Sequence, residues 1–116
     1  DVYKRQPYSY GDESPIDGFD CSGFTWYVYK KSINYKLPRS SKKQFSNGAG
    51  RYVHFSGLRP GDLMFFTNNG QQISHVTIFL NKDKFIHAPR TGRRISIETM
   101  NRYWKQRFVK GKTYIQ

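Results

Sequence analysis

Apolar residues recur along this chain at two different spacings, which divide it into a mainly helical first third and a mainly stranded remainder. From Cys21 to about Ile33, Phe24, Tyr27, Val28 and Ile33 fall at roughly helical intervals, and Trp26 and Tyr29 widen the apolar face. Asp17 or Asp20 is placed to cap the start of this helix, and Leu37-Pro38 to end it. Residues 40–45 predict a short second helix with Ser40 or Ser41 as its cap. After the turn Asn47-Gly48-Ala49-Gly50, short apolar or alternating runs predict strands at 51–55, 63–66, 74–80, 84–88, 93–97 and 108–115. Leu58-Arg59-Pro60-Gly61-Asp62 reads as a tight turn, because Pro presets one dihedral and Gly permits a positive one. Residues 98–104 read as a third helix, capped by Ser96 or Glu98. Residues 7–17, rich in Gly, Pro, Ser and Asp, read as an irregular opening loop.

Composition narrows the partners more than the fold. The 116 residues suffice for one domain with a modest core. Hydrophobic content is only 36%, but an aromatic share of 17% supplies large buried areas. A net charge of +12 and a pI near 10.0 point to a polyanionic partner: nucleic acid, an anionic membrane face or an anionic cell-wall polymer. No apolar run approaches the roughly 20 residues of a transmembrane helix. Residues 1–6 resemble an adaptor-derived scar of library preparation or a disordered tail, leaving 7–116 as the domain proper. Without them (Lys4 and Arg5 against Asp1) the charge falls from +12 to +11, so the partner argument is unchanged.

The candidate chemistry starts from the single cysteine, Cys21, in Gly18-Phe19-Asp20-Cys21-Ser22-Gly23-Phe24. A lone thiol has no intramolecular disulfide to make. At the start of a helix it meets unpaired backbone N–H groups, which lower a thiol pKa and can also hold an oxyanion. A small buried apolar role is the structural alternative. Two of three histidines, His75 and His87, fall on consecutive predicted strands. Alternation places His75, Thr77 and Phe79 on one face. A three-residue loop at 81–83 would pair Leu80 with Lys84 and Thr77 with His87. The histidines would then lie diagonally opposed on one face, about 8 Å apart at Cα. A two-residue loop would put them on opposite faces. In the first arrangement His75 is a base for Cys21 and His87 orients it. His54 reads as a surface residue. A zinc site from Cys21, His75 and His87 has suitable ligand types but no short paired spacing to support it.

These residues resemble the NlpC/P60 family of bacterial cell-wall cysteine peptidases. The likeness is carried by five ordered motifs: Pro7-Tyr8-Ser9-Tyr10-Gly11, Phe19-Asp20-Cys21-Ser22-Gly23-Phe24, Leu37-Pro38-Arg39-Ser40-Ser41, the run from Leu58 to Phe66, and the pair Ser74-His75-Val76-Thr77-Ile78-Phe79 with Phe85-Ile86-His87-Ala88. The resemblance implies a papain-like α+β core, a nucleophile-bearing helix packed on an antiparallel β-sheet. It implies hydrolysis of peptidoglycan stem peptides at the γ-D-glutamyl bond to meso-diaminopimelate or Lys through a thioacyl-enzyme. Carried over residue by residue, Cys21 is the nucleophile, His75 the base and His87 the orienting residue, with substrate contacts at Tyr8, Asp20, Ser22 and Ser74. No metal or organic cofactor is implied, and the setting is periplasmic, cell-envelope or secreted. Two departures stand out: Asp12 where the family often has a second glycine, and a start at the Tyr8 motif, expected to leave the domain truncated at its N-terminus. The competing readings are an amidase or acyltransferase of the same Cys-His superfamily and a non-catalytic basic module binding wall or nucleic acid. Dispersed basic residues argue against specific nucleic-acid binding, and nothing suggests a dimer.

Overall fold

The computed structural model describes residues 20–89 and 94–114. The opening loop, its Tyr8, the Asp17 cap and the 1–6 tail lie outside the described residues.

Helix α1 (Cys21–Ile33) starts where the sequence predicts. Helix N-termini leave backbone amides without intrahelical partners. The Asp20 carboxylate accepts one of these bonds, from the Gly23 N–H at 2.6 Å. The helix stops before Leu37-Pro38, because Asn34 adopts a left-handed φ of 55° and its N–H donates to the Tyr29 carbonyl. Its buried side is smaller and more polar than the periodicity suggests: Ser22, Gly23, Phe24, Thr25 and Tyr29 face inward, while Ile33 is exposed. Helix α2 (Ser41–Ser46) is capped by Ser40, whose hydroxyl accepts from the Lys43 N–H.

Six strands follow: β1 (Arg51–Val53), β2 (Leu63–Thr67), β3 (Ile73–Asn81), β4 (Lys84–His87), β5 (Ser96–Thr99) and β6 (Phe108–Thr113). Helix α3 (Arg102–Arg107) lies between the last two. They form one antiparallel sheet in the order β1-β6-β2-β3-β4-β5. The first strand is shorter than predicted, ending at Val53 before a 3-10 turn over Phe55–Gly57. The last strand is interior, not an edge, since it pairs with both β1 and β2. Gly111 on this strand leaves room for the Leu58 side chain: a Cβ there would stand 2.4 Å from Leu58 Cδ2. The predicted turn into β2 forms with Gly61 at φ 96°, and the Arg59 N–H donates to Asp62 Oδ2.

Alternation along the strands builds two cores. Leu63, Phe65, Val76, Ile78 and Ile86 join Phe24 and Tyr29 on the α1 side. Met64, Phe66, Phe79 and Phe85 form the other core, against Met100 and the half-buried Trp104 and Phe108. The predicted helix over 98–104 is wrong in its first half. Glu98 is on β5, and α3 begins only at Arg102, where the Asn101 side chain accepts from the Trp104 N–H. Of the strand predicted over 93–97, Arg93 lies outside the described residues, and the observed strand runs Ser96–Thr99. Asn101, a strong N-cap residue, outcompetes Ser96 and Glu98 as the helix start.

Candidate functional site

The histidine arrangement depends on a compensated register. The β3–β4 turn has two central residues, Lys82 and Asp83, closed by Asn81 opposite Lys84, so the expected three-residue loop is not formed. Such a turn alone would separate the histidines onto opposite faces. A bulge between Phe79 and Asn81 inserts Leu80 and restores the parity, giving Phe79 opposite Phe85 and Ile78 opposite Ile86. That register sets His87 across from Thr77, on the same face as His75. The outcome is direct contact: His75 Nε2 lies 2.7 Å from His87 Nδ1.

Aromatic rings clamp the pair. Trp104 stacks on His75 at 5.8 Å between centroids and 28° between planes, and meets His87 edge-on at 5.4 Å. Phe66 and Phe85 complete the surround. His87 is fully buried, 1% exposed. Its Nε2 has no hydrogen-bond partner among the described residues, and Glu98 Oε2 stands 3.6 Å away. Burial pushes His75 down from its ordinary 6.5 to about 3, with the neighbouring His87 adding to the shift, and burial pushes His87 down to about 4. Both rings are therefore neutral at physiological pH.

Cys21 sits at the first turn of α1, where Asp20 anchors the backbone. Behind that turn the buried Gln44 amide donates to the carbonyls of Ser22 and Pro38 and accepts from the Thr25 hydroxyl, tying α1 to α2. The sulfur lies against the backbone of Val76, the residue after His75. The expected lowering of the thiol pKa does not occur. Burial pushes it from 9.0 up to about 11, and the Asp20 carboxylate adds to that. The amides of Val76, Ser22 and Cys21 pull the other way and lose. These shifts favour the neutral thiol and the neutral imidazoles alike.

The two groups open onto neighbouring clefts. One, about 630 Å³, is lined by Asp20, Cys21, Ser22, Arg39 and Lys42. The other, about 690 Å³, is lined by His75, His87, Glu98, Trp104, Arg94 and Arg107. Asn68 and Ser74 line both and form their shared wall. Of the candidate substrate contacts, Asp20 and Ser22 are buried at the thiol cleft and Ser74 is exposed on the wall. His54 is exposed and precedes the 3-10 turn, as expected. Among the described residues no cluster of three or more His, Cys, Asp or Glu is arranged to hold a metal ion. Glu98, Trp104, Asn68 and Gln44 are site residues that the sequence does not single out. Glu98 is masked by its fit to a helix cap, and the rest belong to no catalytic spacing.

The family model described as "NlpC/P60 family" matches residues 5–113. The chain belongs to the NlpC/P60 family. It is 36% identical over 106 residues, 90% of its length, to murein DD-endopeptidase MepH of Escherichia coli, of which the match covers 39%. It is 36% identical to the γ-D-glutamyl-L-lysine dipeptidyl-peptidase of Bacillus subtilis, over 81% of this chain and 31% of that protein. The chain thus spans well under half the length of these relatives. An NlpC/P60 family protein from Bacillus cereus superposes with a TM-score of 0.86 at 32% identity, over 98% of this chain and 37% of that one. The papain-like α+β core of the NlpC/P60 family is therefore the fold of this chain.

Proposed function

We propose that this domain is a cysteine peptidase that hydrolyses peptidoglycan stem peptides. The observation that carries the reading is the 2.7 Å contact between His75 Nε2 and His87 Nδ1, with the half-buried Cys21 thiol at the start of α1 against the backbone of Val76, the residue after His75. With Nε2 occupied, His75 has Nδ1 left to take a proton. The thiol proton passes to that nitrogen as sulfur attacks the scissile carbonyl, and the oxyanion is held by backbone N–H groups including that of Cys21. The C–N bond then breaks and the amine leaves with the proton from His75. Water, deprotonated by His75, cleaves the thioester and restores the thiol. The scissile bond crosses the wall formed by Asn68 and Ser74. Its acyl half lies in the thiol cleft and its leaving half in the imidazole cleft, where the proton donor is. Asp20, Ser22 and Ser74, with Tyr8, contact the peptide.

The bond we assign is that from γ-D-glutamate to the diamino acid, meso-diaminopimelate or Lys. The Bacillus subtilis relative, whose name specifies a γ-D-glutamyl-L-lysine linkage, supports this reading. The name of the Escherichia coli relative, a DD-endopeptidase, makes a linkage between two D centres the second reading. An excess of 20 Lys and Arg over 8 Asp and Glu favours accumulation on anionic wall polymer, and the working location is the envelope or outside the cell. No helix among the described residues is long and apolar enough to cross a membrane. The domain acts as a monomer.

Mass spectrometry of purified muropeptides incubated with wild type and with Cys21→Ala tests the assignment. Fragments ending in γ-D-glutamate, formed only by wild type, are expected. Loss of crosslinks without those fragments would favour the second bond, and no cleavage by a folded wild type would defeat the peptidase reading.

A further inference from the structure

We propose that Glu98 is a positioning residue that selects the productive tautomers of His87 and, through it, of His75. The inference rests on the peptidase reading for its catalytic consequence but not for its structural content. Two tautomeric arrangements fit the contact between the rings. In one, His75 donates from Nε2 to His87 Nδ1. His87 then carries its proton on Nε2, and His75 Nδ1 is an unprotonated acceptor. In the other, His87 donates from Nδ1 to His75 Nε2. His75 then holds its proton on Nδ1 and has no lone pair for a thiol proton. Only the first arrangement supplies a base.

Glu98 distinguishes them through the far side of His87. In the first arrangement an Nε2–H points toward a carboxylate oxygen at 3.6 Å. In the second a lone pair faces that oxygen. His87 is buried, so neither state is compensated by solvent, and the preference is stronger than for an exposed pair. The carboxylate is itself held, because the Ser96 hydroxyl donates to Glu98 Oε2 at 3.1 Å. Both residues are on β5, which pairs with β4 so that His87 is directly opposite Ser96. Strand pairing therefore fixes the distance. When His75 accepts the thiol proton, the same carboxylate also faces the positive charge now shared by the two rings.

Glu98→Gln keeps the shape and can still accept from Ser96, but it removes the charge and offers an amide N–H to the His87 lone pair. It is half-exposed on an edge strand, so the fold is expected to persist, and a thermal melt checks this. The readout is the ¹⁵N shifts of the His75 and His87 rings at pH 7, which report tautomers without substrate. Wild type should show both rings protonated on Nε2, and the variant a gain of the Nδ1–H form at His87. On muropeptides kcat should fall about tenfold to a hundredfold, with KM changed less than about twofold. Glu98→Ala should give the same tautomer change if the charge is the cause. Unchanged ring shifts in both variants would overturn the proposal. So would a full change of tautomer that leaves kcat intact. If the wild type cleaves no muropeptide, the ring shifts still decide the structural claim while the peptidase reading fails separately.

Discussion

Lowering the pH from 7 to 5 should destabilise this domain through the buried His87 and the part-buried His75, and replacing one of them should remove about half of that effect. The folded rings titrate near 3 and near 4, while in the unfolded chain both return to about 6.5. Between those values the unfolded state binds more protons than the folded state, so stability rises with pH there. The contribution is fully present above about pH 6.5 and is lost as the solution is acidified toward the folded values. At pH 5 each ring lies about 1.5 pH units below its unfolded value. At about 1.36 kcal/mol per unit, each costs about 2 kcal/mol, or about 4 kcal/mol for both, as an upper bound. That is a large share of the roughly 5–15 kcal/mol by which domains are usually stable.

Urea unfolding followed by tryptophan fluorescence at pH 7, 6 and 5 measures this, with Trp26 and Trp104 as reporters. Wild type should be compared with His87→Asn. Apart from Glu98, which faces His87 Nε2, the carboxylates and surface groups are common to both proteins and cancel in the difference. Between pH 7 and pH 5 wild type should lose about 2 kcal/mol more than the variant, because only His75 remains to resist protonation. Parallel losses, agreeing within about 0.5 kcal/mol, would show that the rings are not held neutral and would refute the reasoning.

Two further outcomes follow from single groups. With its thiol pushed up to about 11, Cys21 should react slowly with iodoacetamide at pH 7, and the rate should rise about tenfold per pH unit to about pH 10. Intact-mass spectrometry reads this directly on the only cysteine, and a plateau below pH 8 would instead indicate a resting thiolate–imidazolium pair. Lys112 is buried, and its ammonium donates to the carbonyls of Gln44, Phe45 and Asn47 at 3.0, 3.0 and 2.9 Å, satisfying the end of α2. Lys112→Met should therefore cost about 2–4 kcal/mol in urea unfolding, and a cost below about 1 kcal/mol would remove the ammonium from the account of the fold.

Much of the fold can be read from the chain because its signals are local. Asp20 and Ser40 are cap residues directly before helical spacing, and both caps form. Gly61 in Leu58-Arg59-Pro60-Gly61-Asp62 takes the positive φ that the turn needs. The failures are where a local signal has a rival. Glu98 fits a helix start by composition, but pairing with Phe85 makes it part of a strand, and Asn101 caps the helix instead. Ile33 fits the apolar stripe of α1, yet it is 48% exposed at the last position of the helix. The Cys21 pKa fails for another reason. The helix terminus is visible in the sequence, but burial depends on residues far along the chain, and burial is the larger effect.

The histidine pair shows how a correct conclusion can survive a wrong intermediate step. Side-chain parity between His75 and His87 depends on the total offset between the strands, not on the turn alone. The spacing predicts an odd loop; an even turn with one extra residue gives the same parity, and that is what the chain uses. Leu80 is the inserted residue, and Lys82 takes φ 52° in the tight turn beyond it. A second irregularity falls at Ser74, because Phe66 pairs with His75 while the next residue, Thr67, pairs with Ile73. Ser74, left out of the ladder, becomes part of the wall shared by the thiol and imidazole clefts. The two irregularities of β3 therefore bracket His75, one setting its partner and the other its access. Bulges are the means by which a sheet re-aims a side chain without losing its core alternation, and here Val76 and Ile78 stay in the α1 core while His75 turns to meet His87.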